Sequence, residues 1–497
     1  MQAIPAAAEA TRAVDPTVWW EFLRPFFVTQ LGAILAFILA AVIILRMLSE
    51  RRNPGNFFAW ALFVLFVPAL GIPLYLLFGG RKSRRLAEHK RSVRQLALSI
   101  ARRERGARPA SEKEPLMHSR EEDEVPRRFT GNRFQLLGDD RACYEALLEE
   151  IGRAEKTIHV CTYILGHDDD EPARAIMQAL TARAEDGLEV LLLIDAYGSF
   201  RAGRRMLRDF RAAGGRSARF LPILPLQTKA SANLRNHRKA IIFDRCRVVT
   251  GGQNIECRFI GREHNPRRYR DFSVLIEGPA VAPFTRSFVS DWCYAAREEP
   301  EAFQEALGHV PEPAGEEDME VITSGPDVIG DPLWEEAVSI IQEIRESLLI
   351  VTPYFVPDEV VFRSLLVKAR TGRKIRLVIP ARSDTRVVDF ARGPFLRDLH
   401  QAGVEIFLYR PSMLHAKLLV ADGKVAAVGS ANLDMRSMFV NFENAVFLHT
   451  EGPIRELLSW TDGILEECIP FARTRQAKVG NTRNYFEEIA HLLAPML

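Results

Sequence analysis

Two stretches of the chain carry the same reactive side chains at the same spacing. Asn236-His237-Arg238-Lys239-Ala240-Ile241-Ile242-Phe243-Asp244 and Leu414-His415-Ala416-Lys417-Leu418-Leu419-Val420-Ala421-Asp422 both read H-x-K-x4-D. Each is followed at one distance by a glycine-led turn ending in an amide, Gly251-Gly252-Gln253-Asn254 and Gly429-Ser430-Ala431-Asn432. A neutral imidazole can attack phosphorus and form a covalent phosphohistidine. A protonated one can donate to the leaving alkoxide and then act as base for the incoming alcohol. Imidazole titrates near neutrality, so a pair of histidines can fill both roles. Lys239, Lys417, Asn254 and Asn432 can neutralise the non-bridging oxygens, the electrostatic service a metal often provides. The expected chemistry is phosphoryl transfer with no metal and no cofactor. One copy of so short a motif has little specificity; its duplication gives it weight.

The elements that must position these groups are strands and helices in alternation. On a strand, residues two apart share a face, so His237 and Lys239 are expected to point together, as are His415 and Lys417. The apolar runs that follow, Ala240 to Phe243 and Leu418 to Ala421, suit strands covered on both sides. Each Asp lies at an odd offset from its His. Asp244 and Asp422 are therefore expected to brace the site from the other face rather than touch phosphorus.

The order strand, helix, strand occurs twice. Thr157 to Tyr163, a helix over Glu171 to Ala184 and a strand over Leu188 to Asp195 correspond to Leu348 to Tyr354, a helix ending near Thr371-Gly372, and Ile375 to Pro380. This predicts an α/β protein of two tandem α/β sandwich domains with mixed sheets, in a pseudo-twofold arrangement that turns both His-Lys pairs toward one cleft. The Pro-rich, acidic stretch Pro311 to Asp318 marks the boundary. The halves are then 129–312 and 313–497. Asp168, Asp169 and Asp170 are expected to cap the helix that follows rather than to bind metal. His159 reads as a satisfied core or surface histidine, and His264, among arginines, as facing lipid phosphate or solvent.

Ahead of the repeat the chain changes character. Phe26 to Leu45 and Phe57 to Phe78 contain no charged residue, and each has the ~20 residues that cross a bilayer as a helix. Trp19, Trp20 and Tyr75 flank them as interfacial aromatics do. Residues 1–80 are thus read as a membrane anchor with two transmembrane helices, about 26–45 and 57–78, the second kinked by Pro68 and Pro73. Residues 81–128 are read as a basic linker, arginine-rich enough to rest on anionic headgroups. Its charge places the large C-terminal part in the cytoplasm by the positive-inside rule. A net charge of only +2 argues against nucleic acid. Six scattered cysteines without a C-x-x-C pair argue against a zinc cluster or a disulfide framework.

Together these residues resemble the phospholipase D superfamily, the HKD enzymes, and within it the bacterial cardiolipin synthases. The resemblance runs from Arg51-Arg52-Asn53-Pro54 through Ala59-Trp60, Pro68, Gly71 and Leu76-Leu77-Phe78-Gly79 to Leu234-Arg235-Asn236-His237-Arg238-Lys239. It continues in Asp291-Trp292, Thr352-Pro353-Tyr354-Phe355-Val356-Pro357, Gly429 to Ser437, Asn441-Phe442-Glu443 and the closing Leu492 to Leu497. The family implies that two phosphatidylglycerols give cardiolipin and glycerol at a bacterial inner membrane. It implies His237 as nucleophile, His415 as acid and base, and Asp271 and Glu443 as carboxylates that orient a histidine, with Ser430, Asn254 and Asn432 at the phosphate. A hydrolase or transphosphatidylase using water, another alcohol or another phospholipid is the alternative. The chain departs from the pattern at Gly252, which lacks the serine seen at Ser430, and at Arg245-Cys246, where Asp-Gly is usual. The arginine-rich segment Glu256 to Arg270 is also atypical.

Overall fold

The structure, a computed structural model, describes residues 32, 34–48, 54–78, 84–105, 128–221, 234–474 and 487–488. Trp19, Trp20, the start of the first apolar run and the C-terminal Leu492 to Leu497 lie outside them. The chain forms two compact units, Met1–Gly79 and Gly80–Leu497.

In the first unit residues 34–48 are helical, followed by helices α1 (Pro54–Phe66) and α2 (Pro68–Phe78). The second apolar run is therefore two helices rather than one kinked helix. Proline lacks an N–H and is favoured in the first turn of a helix, and Pro68 starts α2 directly after the break at Val67. Among the described residues no helix is long and apolar enough to cross a membrane. Trp60 packs edge-on against Tyr75 at 5.4 Å. Gly71 is required where α2 meets α1, because a Cβ there would lie 2.6 Å from the Phe63 carbonyl oxygen. The outward side chains, among them Phe37, Ile38, Phe58, Leu62, Phe66 and Leu70, are exposed.

The second unit opens with helix α3 (Arg84–Arg105), in the stretch read as a linker. Its Lys90, Ala97, Ile100 and Ala101 are buried, so one face is packed rather than solvated. The first half then supplies strands β1 (Arg128–Leu137), β2 (Thr157–Thr162), β3 (Glu189–Asp195), β4 (Arg216–Phe220), β5 (Ala240–Phe243), β6 (Arg247–Gly251) and β7 (Ser273–Glu277). The second supplies β8 (Glu317–Ser324), β9 (Ser347–Val351), β10 (Phe355–Val356), β11 (Lys374–Pro380), β12 (Glu405–Tyr409), β13 (Leu418–Ala421), β14 (Val425–Gly429), β15 (Leu433–Asp434), β16 (Glu443–Leu448) and β17 (Cys468–Pro470). Helices α4 (Asp140–Arg153), α5 (Glu171–Glu185), α6 (Arg204–Ala212) and α7 (Val281–Ala296) cover the first half.

One 15-stranded sheet runs through both halves in the order β17-β12-β11-β9-β13-β14-β16-β8-β1-β7-β6-β5-β2-β3-β4. Read outward from the centre, β1-β7-β6-β5-β2-β3-β4 and β8-β16-β14-β13-β9-β11-β12 are the same arrangement. The join is the antiparallel pairing of β1 with β8. The tandem repeat expected from sequence is present, but a continuous sheet and a common core fuse its halves. Val274, Phe284 and Trp292 of the first half share one apolar cluster with Val321, Val446 and Ile454 of the second. Each half keeps a second cluster under its outer helices.

Of the three acids read as caps of the helix that follows, Asp170 fills that role, while Asp168 serves a different helix. Asp170 accepts from Ala173 N at the start of α5, and Asp168 from Met206 N at the start of α6. His159 is buried, 2.7 Å from Glu189 and stacked on Phe288. His264 bonds Asp140 at 2.8 Å, and that carboxyl also takes Arg268.

Candidate active site

The two motifs lead into equivalent strands, but their reactive residues lie just before them. β5 begins at Ala240 and β13 at Leu418, so His237, Lys239, His415 and Lys417 lie just ahead of regular strand, contrary to the expectation that placed them on it. Backbone pairing across the halves holds them instead. His237 N donates to Phe442 O at 2.9 Å, and Phe442 N donates to Arg235 O at 2.9 Å. In the mirror relation, His415 N donates to Arg270 O at 2.8 Å, and Arg270 N to Met413 O at 2.8 Å.

This pairing sets the residue after each partner, Glu443 or Asp271, beside the histidine of the other half. His237 Nδ1 lies 3.0 Å from both carboxylate oxygens of Glu443. His415 Nδ1 lies 2.6 Å from Asp271 Oδ2. A carboxylate at Nδ1 fixes the tautomer and leaves Nε2 free to attack or to carry a proton. Lys417 Nζ is also 2.8 Å from His415 Nδ1. The carboxylate claims that N–H, and the ammonium donates to the His415 carbonyl, as Lys239 Nζ does to His237 O at 2.8 Å. The site is one composite of both halves, with two crossed histidine–carboxylate pairs.

Burial and like charge govern the protonation states. Burial first, then Lys417, pushes His415 down to about 4 against the pull of Asp271. Burial, with the ammonium groups of Lys239 and Lys417, also lowers His237, and Glu443 opposes it. Lys239 falls to about 7 and Lys417 to about 8, burial being the main cause in both. Burial works to raise Glu443, but His237, Lys239 and the Ser430 hydroxyl outweigh it and hold the carboxyl below its ordinary value. Such a cluster of buried cationic groups is short of negative charge, and a bound phosphodiester would raise every one of these values by Coulomb attraction.

The supporting residues divide into three kinds. Asp244 and Asp422 sit past the far ends of β5 and β13, both with positive φ (50° and 52°). Asp244 accepts from the backbone of Glu155, Lys156 and Thr157 at the entrance to β2, and Asp422 from Arg345, Glu346 and Ser347 at the entrance to β9. They knit neighbouring strands, so their distance from the histidines follows from strand length and the turn rather than from a shared strand face. Asn254 Oδ1 accepts from Ile164 N at 3.1 Å, and the Asn432 amide bonds the Asp434 carboxyl. Ser430 Oγ donates to Glu443 Oε2 at 2.5 Å, and Asn441 Nδ2 lies 3.3 Å from Oε1. The serine missing at Gly252 has a steric explanation. A Cβ there would run into both carboxylate oxygens of Asp271.

Several residues of the site were not singled out from sequence. Tyr163 meets the His237 ring edge-on at 4.9 Å, and Phe259 meets His415 at 5.0 Å. Asp195 accepts from Asn236 N at 3.0 Å. Asp291, noticed only for its place beside Trp292, accepts from Arg238 Nη1 at 2.6 Å and from Asn236 Nδ2 at 3.0 Å. Among the described residues no group of three or more His, Cys, Asp or Glu side chains is arranged to hold a metal ion.

Comparison with known proteins adds a family to this architecture. A family model described as "Cardiolipin synthase, PLD-like domain" matches residues 147–292 and 338–465, one segment per half. A second, "Phospholipase_D-nuclease N-terminal", matches residues 34–80. The cardiolipin synthase of Clostridium perfringens (strain SM101) is 30% identical over 459 residues, covering 90% of this chain and 95% of that protein. The major cardiolipin synthase ClsA of Bacillus subtilis is 29% identical over 443 residues, covering 86% of this chain and 90% of that protein. Among solved structures, the phosphatidylserine synthase of Haemophilus influenzae shares the fold with a TM-score of 0.57 at 14% identity, covering 73% of this chain and 95% of that one. The repeated motif, the crossed pairs and the two matched segments lead to one conclusion: this chain belongs to the cardiolipin synthase family of phospholipase D-like enzymes.

Proposed function

We propose that the crossed histidine–carboxylate pairs carry out the phosphatidyl transfer that makes cardiolipin and glycerol from two phosphatidylglycerols. His237 Nε2 attacks the phosphorus of the first lipid. The bond from phosphorus to the glycerol oxygen breaks as that oxygen takes a proton from His415 Nε2. His415, now neutral, takes the proton of the terminal hydroxyl of the second lipid. That oxygen displaces His237 from phosphorus, and both histidines return to their starting states. Lys239, Lys417, Asn254 and Asn432 hold the non-bridging oxygens. Glu443, with Ser430 behind it, orients His237; Asp271 orients His415; Asp244 and Asp422 hold the strands that present them.

The observation that carries this reading is the exchange of carboxylates, Glu443 to His237 and Asp271 to His415, which makes one two-histidine site out of two halves. The burial of both histidines favours the neutral nucleophile in the empty enzyme. The negative charge of a bound phosphodiester supplies what the acid needs to hold its proton.

The exposed apolar side chains of the first unit suit contact with lipid. The reading therefore includes an inner-membrane enzyme with a multi-pass anchor over residues 26–45 and 57–78 and its catalytic unit in the cytoplasm. The test is incubation of the purified full-length protein with phosphatidylglycerol alone, with and without EDTA, followed by mass spectrometry of the lipids. Cardiolipin in both samples is the expected result. Phosphatidic acid as the sole product would make the protein a hydrolase.

A further inference from the structure

Helix α3 sends one lysine into the join between the two halves. Lys90 is 0% exposed. Its Nζ lies 2.8 Å from Asp291 Oδ1 and 3.1 Å from Asp327 Oδ2, and it donates to Ser290 Oγ at 2.7 Å. Asp291 and Ser290 belong to α7 of the first half, and Asp327 follows β8 of the second. One ammonium therefore bridges both halves. The same Asp291 accepts from Arg238 Nη1 at 2.6 Å and Asn236 Nδ2 at 3.0 Å, the two neighbours of His237 in sequence. Arg238 goes on to donate to Ser324 O at 2.9 Å and to Glu443 O at 3.2 Å. The Glu443 carboxylate returns to His237. A path of buried hydrogen bonds thus runs from α3 to Glu443, whose backbone carbonyl takes Arg238 and whose side chain reaches the His237 ring.

Two features separate this path from ordinary surface pairing. Its members are buried, and the four charges of Lys90, Arg238, Asp291 and Asp327 balance. The cations lower both carboxyls against the pull of burial, Asp327 to about 2 with Lys90 foremost among them. Buried ion pairs add little net stability compared with apolar packing, but removing one member strands its partner. The path is also one-sided. At the positions equivalent to Asn236 and Arg238, the second motif has Leu414 and Ala416, both buried in the common core.

We propose that Lys90 is a positioning residue for the transfer reaction: by holding Asp291 it fixes Asn236 and Arg238 and so aims the His237 ring, which makes helix α3 a working part of the catalytic unit and not a tether. The role in transfer rests on the reaction proposed above, and the test separates the two.

Lys90→Met alone would leave Asp327 uncompensated and endanger the fold. Lys90→Met with Asp327→Asn removes one charge of each sign and spares the Arg238–Asp291 pair. Lys90→Gln, one bond shorter and uncharged, so that it cannot hold both carboxyls as the ammonium does, is the second variant. Each is made in the full chain and checked for a wild-type melting transition. For cardiolipin formation the double variant is expected to lose about 10–100-fold in kcat with KM within about twofold, since a misplacement of roughly 1 Å can cost about 100-fold. The glutamine variant is expected to lose less. Independently of any lipid, the pH midpoint for diethyl pyrocarbonate modification of His237, read by peptide mass spectrometry, is expected to move in the double variant while that of His415 stays. Wild-type kcat together with an unmoved His237 midpoint, in either folded variant, overturns the proposal. If the unaltered protein makes no cardiolipin, the transfer reading fails, and the His237 midpoint still decides whether Lys90 positions that ring.

Discussion

The first catalytic motif is held by charge and the second by apolar packing. Around His237, Asn236 and Arg238 are tied to Asp291; around His415, Leu414 and Ala416 are packed into the common core. The carboxylates differ in the same spirit. Asp271 lies over the bare backbone of Gly252, whereas Glu443, one methylene longer, takes the hydroxyl of Ser430. Yet both arrangements put a carboxylate at Nδ1 of the histidine in the other half. The groups of the proposed site are duplicated faithfully, and the means of holding them have diverged. What the chemistry constrains is the position of the oxygen at Nδ1, and a glycine with a short acid or a serine with a long one can both deliver it.

The comparison can be broken most severely at the histidines. His237→Ala and His415→Ala should each abolish cardiolipin formation while the fold is kept, and a labelled phosphoenzyme should form only when His237 is present. Full activity in either variant would remove the shared site. Next in size, Asp271→Asn and Glu443→Gln should each lower kcat by on the order of 10²–10⁴-fold, because the imidazole loses the partner that fixes its tautomer. Equal losses would mean that the two supports, though built differently, are equivalent in effect.

A swap of supports sharpens the point. Gly252→Ser should cost about 10–100-fold, because the new side chain meets the Asp271 carboxylate and displaces it from His415. Adding Asp271→Glu, which copies the second half, should recover part of that loss; no recovery would mean that more than these two residues distinguishes the halves. Ser430→Ala should cost less, about tenfold in kcat. A hydrogen bond to a charged group is worth about 1.5–3 kcal/mol, and Glu443 keeps Asn441 as a second donor.

The smallest effect is on stability in acid. An unfolded imidazole takes its proton near 6.5, and His415 in the fold only near 4. Between these values the unfolded state binds more protons, so the stability that His415 contributes should be whole above about 6.5 and fall as the pH drops toward 4. Melting of ligand-free protein from pH 7.5 to 5 should show this decline, and His415→Gln should flatten it.

Much of the local structure could be read from the chain. The strand over Thr157–Thr162, the helix from Glu171 and the strand ending at Pro380 were expected within a residue or two, because period, caps and Gly breaks are local signals. The bracing role of Asp244 and Asp422 was expected as well, though from a strand parity that the lead-in segments do not have. The break at Val67 was anticipated only as a kink. The burial of α3 was missed, because a helix with Arg84, Arg85, Arg91, Arg102 and Arg103 resembles a solvated one, and its single buried lysine carries no local mark.

By itself the sequence determined the repeated side chains proposed to react: two histidines, two lysines and two amides at one internal spacing, within two copies of one α/β pattern. It also named Asp271 and Glu443, through a family likeness. Only the tertiary structure decided which carboxylate serves which histidine. Glu443 reaches across 206 residues to His237, and Asp271 across 144 to His415. Contacts at such separations depend on how two halves share a sheet and exchange backbone hydrogen bonds, which no local spacing encodes. The same holds for Gly252, whose reason is the space Asp271 needs, and for Lys90, whose charge is legible in sequence but whose partners exist only where the halves meet.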